Sequence, residues 1–307
     1  MGADTFALSV ADGTAITVHR WLPDVTPKAS VLLAHGMAEH AARYDHFATT
    51  LNAAGYAVYA PDHRGHGITA QGGMLGHFAD QAGWQSVVED LSALVAKIRA
   101  EQPGQKVFYF GHSMGSMLGR SYAIAHSGDI DGLILSGTAG DAGALGKVGL
   151  AIAKLESRIR GKRAVSKLMD GLSFGQYNAA FKPNRTSFDW LSRVESEVDK
   201  YVDDPLCGNL HTARFWVDML GGVEQINTTS EVAKIRDDLP VFLYAGTNDP
   251  VGGKLAAGVK GVAKQMRETG IREVTEKYYP EARHEVHNEL NRDEVEADVV
   301  AWLDAHV

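Results

Sequence analysis

Cysteine is almost absent: Cys207 is the only one in 307 residues. No intramolecular disulfide can form, a cysteine-based metal site is excluded, and nothing points to an oxidising compartment. Positive charge is also scarce, with 30 lysines and arginines against 38 acids and a net charge of −8. Nucleic acid, which needs a clustered basic surface, is therefore not an expected partner. The start, MGADTFALSVADG, has no basic segment leading into an apolar one, and no apolar run approaches a membrane span in length. The expectation is a cytoplasmic chain.

What is present is apolar residue, 45% of the chain, enough for a large buried core. Short β-branched and aromatic runs recur at 14–21, 30–35, 56–62, 106–112, 131–137, 240–246 and 273–280. Several are apolar on both faces, as strands inside a parallel sheet are. Helical patterns lie between them; in the clearest, Trp84, Val87, Val88, Leu91, Leu94, Val95 and Ile98 form a 3.6-residue stripe. Others follow Ser113, Gly253 and Glu285. This alternation predicts an α/β fold with a mostly parallel central sheet and helices on both faces. FALSV and TAITV, joined by ADG, predict an antiparallel hairpin at the sheet edge.

One interval breaks the rhythm. About a hundred residues follow the strand ending near Gly137 before the next begins near Pro240, where α/β connections usually take about 2–6. Residues 138–237 are expected to form an inserted helical cap, or lid, on a core made of 1–137 and 238–307. Two helices are expected in it, one carrying the stripe Leu145, Val148, Ile152, Leu155 and Ile159, the other spanning 187–202.

Chemistry concentrates at the strand ends. GHSMGS, residues 111–116, fits G-x-S-x-G directly after a buried strand and ahead of a helix. Such an elbow needs glycines on both sides of the serine, because the strand turns sharply and a Cβ there would clash. The turn lifts the Ser113 hydroxyl above the sheet and leaves the Met114 N–H at a helix N-terminus, where it suits an oxyanion. In LLAHGMAEHAARY, residues 32–44, a strand ends in His35-Gly36, and the Met37 N–H could supply a second donor. Near the C-terminus, EARHEVHNEL places His284 and His287 three residues apart. They could be a metal pair, or one could be a proton shuttle; the spacing falls one short of H-E-x-x-H, and no third ligand is marked.

HGMAEHAARY, PDHRGHG (61–67), GHSMGS, GTNDPVGG (246–253) and EARHEVHNE, in this order, resemble the α/β-hydrolase superfamily. More narrowly they resemble its monoacylglycerol lipase and lysophospholipase-like branch, grouped with serine aminopeptidases. The likeness covers nearly all of the core and is weakest in the insertion, where YVDDPLCG (201–208) also matches that branch. It implies the α/β-hydrolase fold and a Ser-His-Asp enzyme with Ser113 as nucleophile, Asp249 as acid and His284 as base. Met37 and Met114 would form the oxyanion hole, with no metal and no cofactor. His287 becomes a partly buried or surface helix residue, Asp62 and Arg64 brace the PDHRGHG turns, and Glu39 orients its neighbours.

The substrate it implies is a carboxylic ester with a medium or long acyl chain, most simply a monoacylglycerol- or lysophospholipid-like lipid. Ile152, Leu155, Ile159, Leu168, Phe174, Tyr177 and Phe181 are candidates for the inner wall of the cap. The same triad also serves thioesters, aminoacyl amides, carbon–carbon bonds or perhydrolysis, and some relatives of this fold are ligand receptors with feeble turnover. Residues 147–167 hold seven lysines or arginines against one acid, a face that is either solvated or rests on anionic lipid. Oligomeric state is not legible.

Overall fold

The computed structural model describes residues 3–307; Met1 and Gly2, at the head of the expected core segment, lie outside the described residues. Each apolar run becomes a strand. β1 (Asp4–Ser9), β2 (Ala15–Trp21), β3 (Ala29–Ala34), β4 (Tyr56–Pro61), β5 (Val107–His112), β6 (Gly132–Ser136), β7 (Val241–Gly246) and β8 (Val274–Tyr279) form one sheet. Their order is β1-β2-β4-β3-β5-β6-β7-β8. Neighbours from β4 to β8 are parallel, while β2 runs antiparallel to β4 and β1 antiparallel to β2 at the edge. The hairpin expected at the edge is thus where the pattern puts it.

Alternate residues of the central strands feed two cores. Leu32, Tyr109 and Leu243 pack on one face; Val31, Phe110 and Tyr244 pack on the other. Between β3 and β6 come α1 (Asp45–Ala53), α2 (Gly83–Glu101) and α3 (Met114–His126). All seven apolar residues of the α2 stripe are buried. Between β6 and β7 lie α4 (Gly143–Arg160), α5 (Lys167–Leu172), α6 (Phe174–Tyr177), α7 (Glu195–Asp203), α8 (Ala213–Ile226) and α9 (Thr229–Val232). After β7 come α10 (Ala257–Glu268) and α11 (Arg292–His306). α2, α3 and α10 cover the first face, α1 and α11 the second. This is the α/β-hydrolase architecture.

The helical segment departs from expectation in two ways. The α4 stripe faces outward: Leu145 is 82% exposed, Val148 57%, Leu155 58% and Ile159 73%, and Leu168 beyond it is also exposed. What packs is a different side, Leu150, Ala153 and Glu156, where α4 lies against α8. Hydrophobic periodicity reports an apolar face, not what covers it. Second, the helix expected over 187–202 begins only at Glu195. The Asp189 carboxylate accepts the N–H groups of Arg185 at 2.6 Å and Thr186 at 3.1 Å, which favours a turn over a helix. The carbonyls of Trp190 and Leu191 are taken by the N–H groups of His284 and Glu285, at 3.4 and 2.7 Å. Among the described residues no helix is long and apolar enough to cross a membrane.

Candidate active site

At the end of β5 the chain reverses through Ser113, which has φ 52° and ψ −118°. This is a costly conformation for a non-glycine residue, kept only where the surroundings impose it. They do so by contact: a Cβ on Gly115 would fall 2.0 Å from the Ala34 carbonyl oxygen, and one on Gly111 2.3 Å from that of Gly115. The Ser113 backbone is pinned as well, its N–H donating to Ser136 O at 2.9 Å and its carbonyl accepting from Met117 at 3.1 Å. Met114 is the first residue of α3, so its N–H has no acceptor within the helix.

The loop after β3 is held from several sides. Gly36 N–H donates to Glu39 Oε1 at 2.5 Å. Ala38, at φ 59°, offers its carbonyl to Gly208 N–H and to the Tyr201 hydroxyl, both at 2.9 Å. His35 is fully buried; its Nε2 accepts from His63 N–H at 3.0 Å, so Nδ1 carries the proton and donates to Gly36 O at 2.7 Å.

Asp249, in the loop after β7, and His284, in the loop after β8, are both buried, with His284 Nδ1 2.9 Å from Asp249 Oδ1. That oxygen also accepts from Val251 N–H at 2.8 Å, which fixes the carboxylate. The proton of His284 therefore sits on Nδ1, leaving the Nε2 lone pair open. Burial alone would lower the His284 pKa; the Asp249 carboxylate and its hydrogen bond outweigh this, helped by Glu285 and Glu39, and hold it above the ordinary value. The ring is also packed on either side, 5.1 Å from Trp190 and 4.6 Å from His112 between centroids.

Ser113, His284, Gly36 and Met37 line one cavity with Phe174, Trp190, Leu191 and Tyr201. The structure therefore gathers Ser113, Met37 and His284 around one space, with Asp249 bonded to His284 and Met114 next to Ser113. Of the residues considered for the inner wall, Phe174 lines this cavity and packs with Tyr177, Phe181 and Trp190 in one aromatic cluster beside it, whereas Leu155, Ile159 and Leu168 point to solvent. Ile152 is partly buried against the main core.

One feature near this cavity is not legible as a motif. Arg43 lies buried between two carboxylates, 2.5 Å from Glu39 and 2.6 and 2.8 Å from the two oxygens of Glu285, with its guanidinium 4.8 Å from the Tyr201 ring centre. Two carboxylates share one cation. Burial and the neighbouring Glu285 raise the Glu39 pKa, while Arg43 overcomes burial to hold Glu285 below its usual value. The bridge ties the Met37 loop to the residue after His284. Glu39 and Arg43 sit four apart, a usable hint, but Glu285 is 242 residues away from Arg43.

The other polar candidates separate from the site. Asp62 receives Ala41 N–H at 2.8 Å and Ile68 N–H at 2.7 Å, and a Cβ on Gly67 (φ 50°) would collide with its carboxylate at 2.3 Å. Arg64 makes a two-point pair with Asp90, at 2.6 and 2.7 Å. His63 and His66 are buried and held neutral by burial. His287 is neither on a long helix nor at the surface: it lies in a short 3-10 turn, Val286–Asn288, ahead of α11, and is 6% exposed. Its Nε2 is 2.6 Å from the Tyr244 hydroxyl and its ring packs on Phe47 and Phe110. His284 and His287 thus have different partners.

A family model described as serine aminopeptidase, S33, matches residues 25–291. The chain belongs to this family. Within it, the chain is 31% identical over 299 residues to a monoacylglycerol lipase of Mycolicibacterium smegmatis, covering 96% of this chain and 95% of the relative. It is 30% identical to the monoglyceride lipase of Rattus norvegicus, over 91% and 83% of the two chains. Among solved structures, a thermostable carboxyl esterase from Bacillus coagulans in complex with glycerol superposes with a TM-score of 0.92 at 30% identity, over 100% and 99% of the chains. This member of the family is an enzyme, a carboxylic ester hydrolase of the α/β-hydrolase fold.

Proposed function

We propose that the protein cleaves monoacylglycerol-like lipid esters through Ser113, His284 and Asp249. The observation that carries this is the His284 Nδ1–Asp249 bond, 2.9 Å long, which frees Nε2 beside the cavity that Ser113 lines. His284 Nε2 takes the Ser113 proton as Oγ bonds to the ester carbonyl carbon, and the N–H groups of Met37 and Met114 hold the oxyanion. Collapse expels the alcohol, which leaves with the proton from His284; a water that His284 deprotonates then adds to the acyl carbon, and the acyl–Oγ bond breaks as His284 returns that proton to Ser113. Every proton is accounted for by one imidazole, so the steps call on no cofactor.

Residues 138–237 act as the cap in this reading. The cavity volume is about 20 Å³. Sites for drug-sized ligands run from roughly 300 to 1,000 Å³, so a medium or long acyl chain needs the cap to shift. The lipid substrate is supported by the relatives named above. The test is a panel of monoacylglycerols of increasing chain length, p-nitrophenyl esters, acyl thioesters and aminoacyl amides. Monoacylglycerols give the highest kcat/KM; preferred hydrolysis of the thioester or amide would replace this reading.

The cap's outer face fits a peripheral membrane contact. On α4, the exposed Leu145, Val148, Leu155 and Ile159 stand roughly a third of a turn from the exposed row Lys147, Lys154 and Arg158. An apolar stripe edged by cations suits an anionic lipid surface. Changing Lys147, Lys154 and Arg158 together to Gln should weaken binding to phosphatidylserine vesicles by roughly 10²-fold, at about 1 kcal/mol per cation. Equal binding of the native protein to neutral and anionic vesicles in a flotation assay would remove the contact.

A further inference from the structure

Three side chains that the proposed reaction does not use converge where the Met37 loop meets the turn after α7. His40 Nε2 lies 2.8 Å from Asp204 Oδ2. One ligand-type atom from each of His40, Asp204 and Cys207 lies within 4.8 Å of the other two. His40 and Cys207 are buried, at 8% and 9% exposure. His40 and Asp204 also line a surface cleft with Asp45 and Glu197, so the group is reachable from solvent.

We propose that His40, Asp204 and Cys207 bind a zinc-class divalent cation, with a water from the cleft as fourth ligand. A lone cysteine rules out a site built on cysteines, but a mixed site needs only one thiolate. Imidazole, carboxylate and thiolate together suit zinc and its borderline neighbours; magnesium and calcium prefer oxygen alone. Metal–ligand bonds of roughly 2.0–2.3 Å put tetrahedral ligands about 3.5 Å apart. From 2.8 Å for His40–Asp204 and at most 4.8 Å to Cys207, side-chain rotations moving the ligand atoms by about 1 Å reach that spacing.

Local charge favours a cation. On the inner side Arg43 is shared by Glu39 and Glu285, so one guanidinium there faces the carboxylates of Glu39, Glu285 and Asp204, while on the cleft side Lys200 and Arg292 balance Asp45 and Glu197. Adding a dication and a thiolate reduces that excess. Without metal, burial outweighs Arg43 and keeps the Cys207 thiol protonated; a coordinating dication displaces the proton, which leaves through the cleft.

The position makes the site consequential. Gly208, next to Cys207, donates its N–H to Ala38 O at 2.9 Å, and Ala38 follows Met37. A cation that draws the turn and His40 together therefore pulls on the loop offering the Met37 N–H. Metal binding itself is independent of the reaction proposed above; only its effect on turnover rests on it.

Cobalt titrated into chelator-treated full-length protein, under a non-chelating reductant, reports ligand type and geometry. The expected result is one equivalent bound, with tetrahedral visible bands and a thiolate-to-cobalt charge-transfer band, both displaced by zinc. Cys207→Ser and Asp204→Asn, checked for folding by circular dichroism, should each weaken zinc binding by more than about tenfold in calorimetry. Cys207→Ser should also remove the charge-transfer band. No saturable binding, or binding unchanged in both variants, would overturn the site and leave His40–Asp204 as a hydrogen bond only. Saturating zinc should lower p-nitrophenyl ester turnover of the native protein severalfold and leave that of Cys207→Ser unaltered. Binding with unchanged native turnover would overturn the coupling to the Met37 loop.

Discussion

Ser113→Ala should lower turnover of a short p-nitrophenyl ester by roughly 10⁶-fold, the scale on which a triad loses activity when its nucleophile is removed. The folded state should scarcely notice. The hydrogen bonds that fix the elbow use the Ser113 backbone, through Ser136 O and Met117 N–H, and Ala retains both. The steric fit that forces φ 52° comes from Gly111 and Gly115, which are untouched. The stability change should stay within about 0.5 kcal/mol. Residual activity above a hundredth of native would remove Ser113 as nucleophile. Rate and melting curve measured on one sample separate a missing hydroxyl from a damaged fold.

Local patterns in the sequence carried the strands, the buried stripe of α2 and the elbow. These depend on residues within a few positions of each other: Gly111, Ser113 and Gly115 need no distant partner to be read. What was lost depends on contacts made across the chain. The outward turn of the α4 stripe follows from α4 packing on α8 through another of its sides, a pairing no periodicity encodes. Residues 187–194 read as helix because their own pattern permits it; the N–H groups of His284 and Glu285 take the Trp190 and Leu191 carbonyls instead. The packing of Trp190 against His284 and the Arg43 bridge were invisible for the same reason. His287 was misplaced because the helix was expected too early.

The two histidines of the C-terminal loop provide the sharpest contrast. His284→Ala should cost roughly 10⁵- to 10⁶-fold in kcat, since it removes the base from Ser113 and the acid from the leaving alcohol. His287→Ala should instead leave most activity at low temperature while costing about 2–4 kcal/mol of stability, because it empties a packed site and strands the Tyr244 hydroxyl. Their pKa values are shifted in opposite directions. His284 has its pKa raised and works as a base only when neutral, so native kcat/KM should fall as pH drops through a value above 6.5. Asp249→Asn, which removes the main cause of the rise, should move that limb to lower pH. His287 is pushed down to about 3 by burial, first, and by His46. Between about 3 and 6.5 the unfolded chain binds a proton at this position and the folded one does not. Its contribution to stability is therefore full above pH 6.5 and lost as pH falls, by up to about 1.4 kcal/mol per unit. Chemical denaturation at pH 7.5 and 5.5 should show a smaller stability loss on acidification in His287→Ala than in the native protein. A steep activity loss in His287→Ala with unchanged stability would instead make it a partner in the reaction, because a packing residue cannot disable chemistry without loosening the fold.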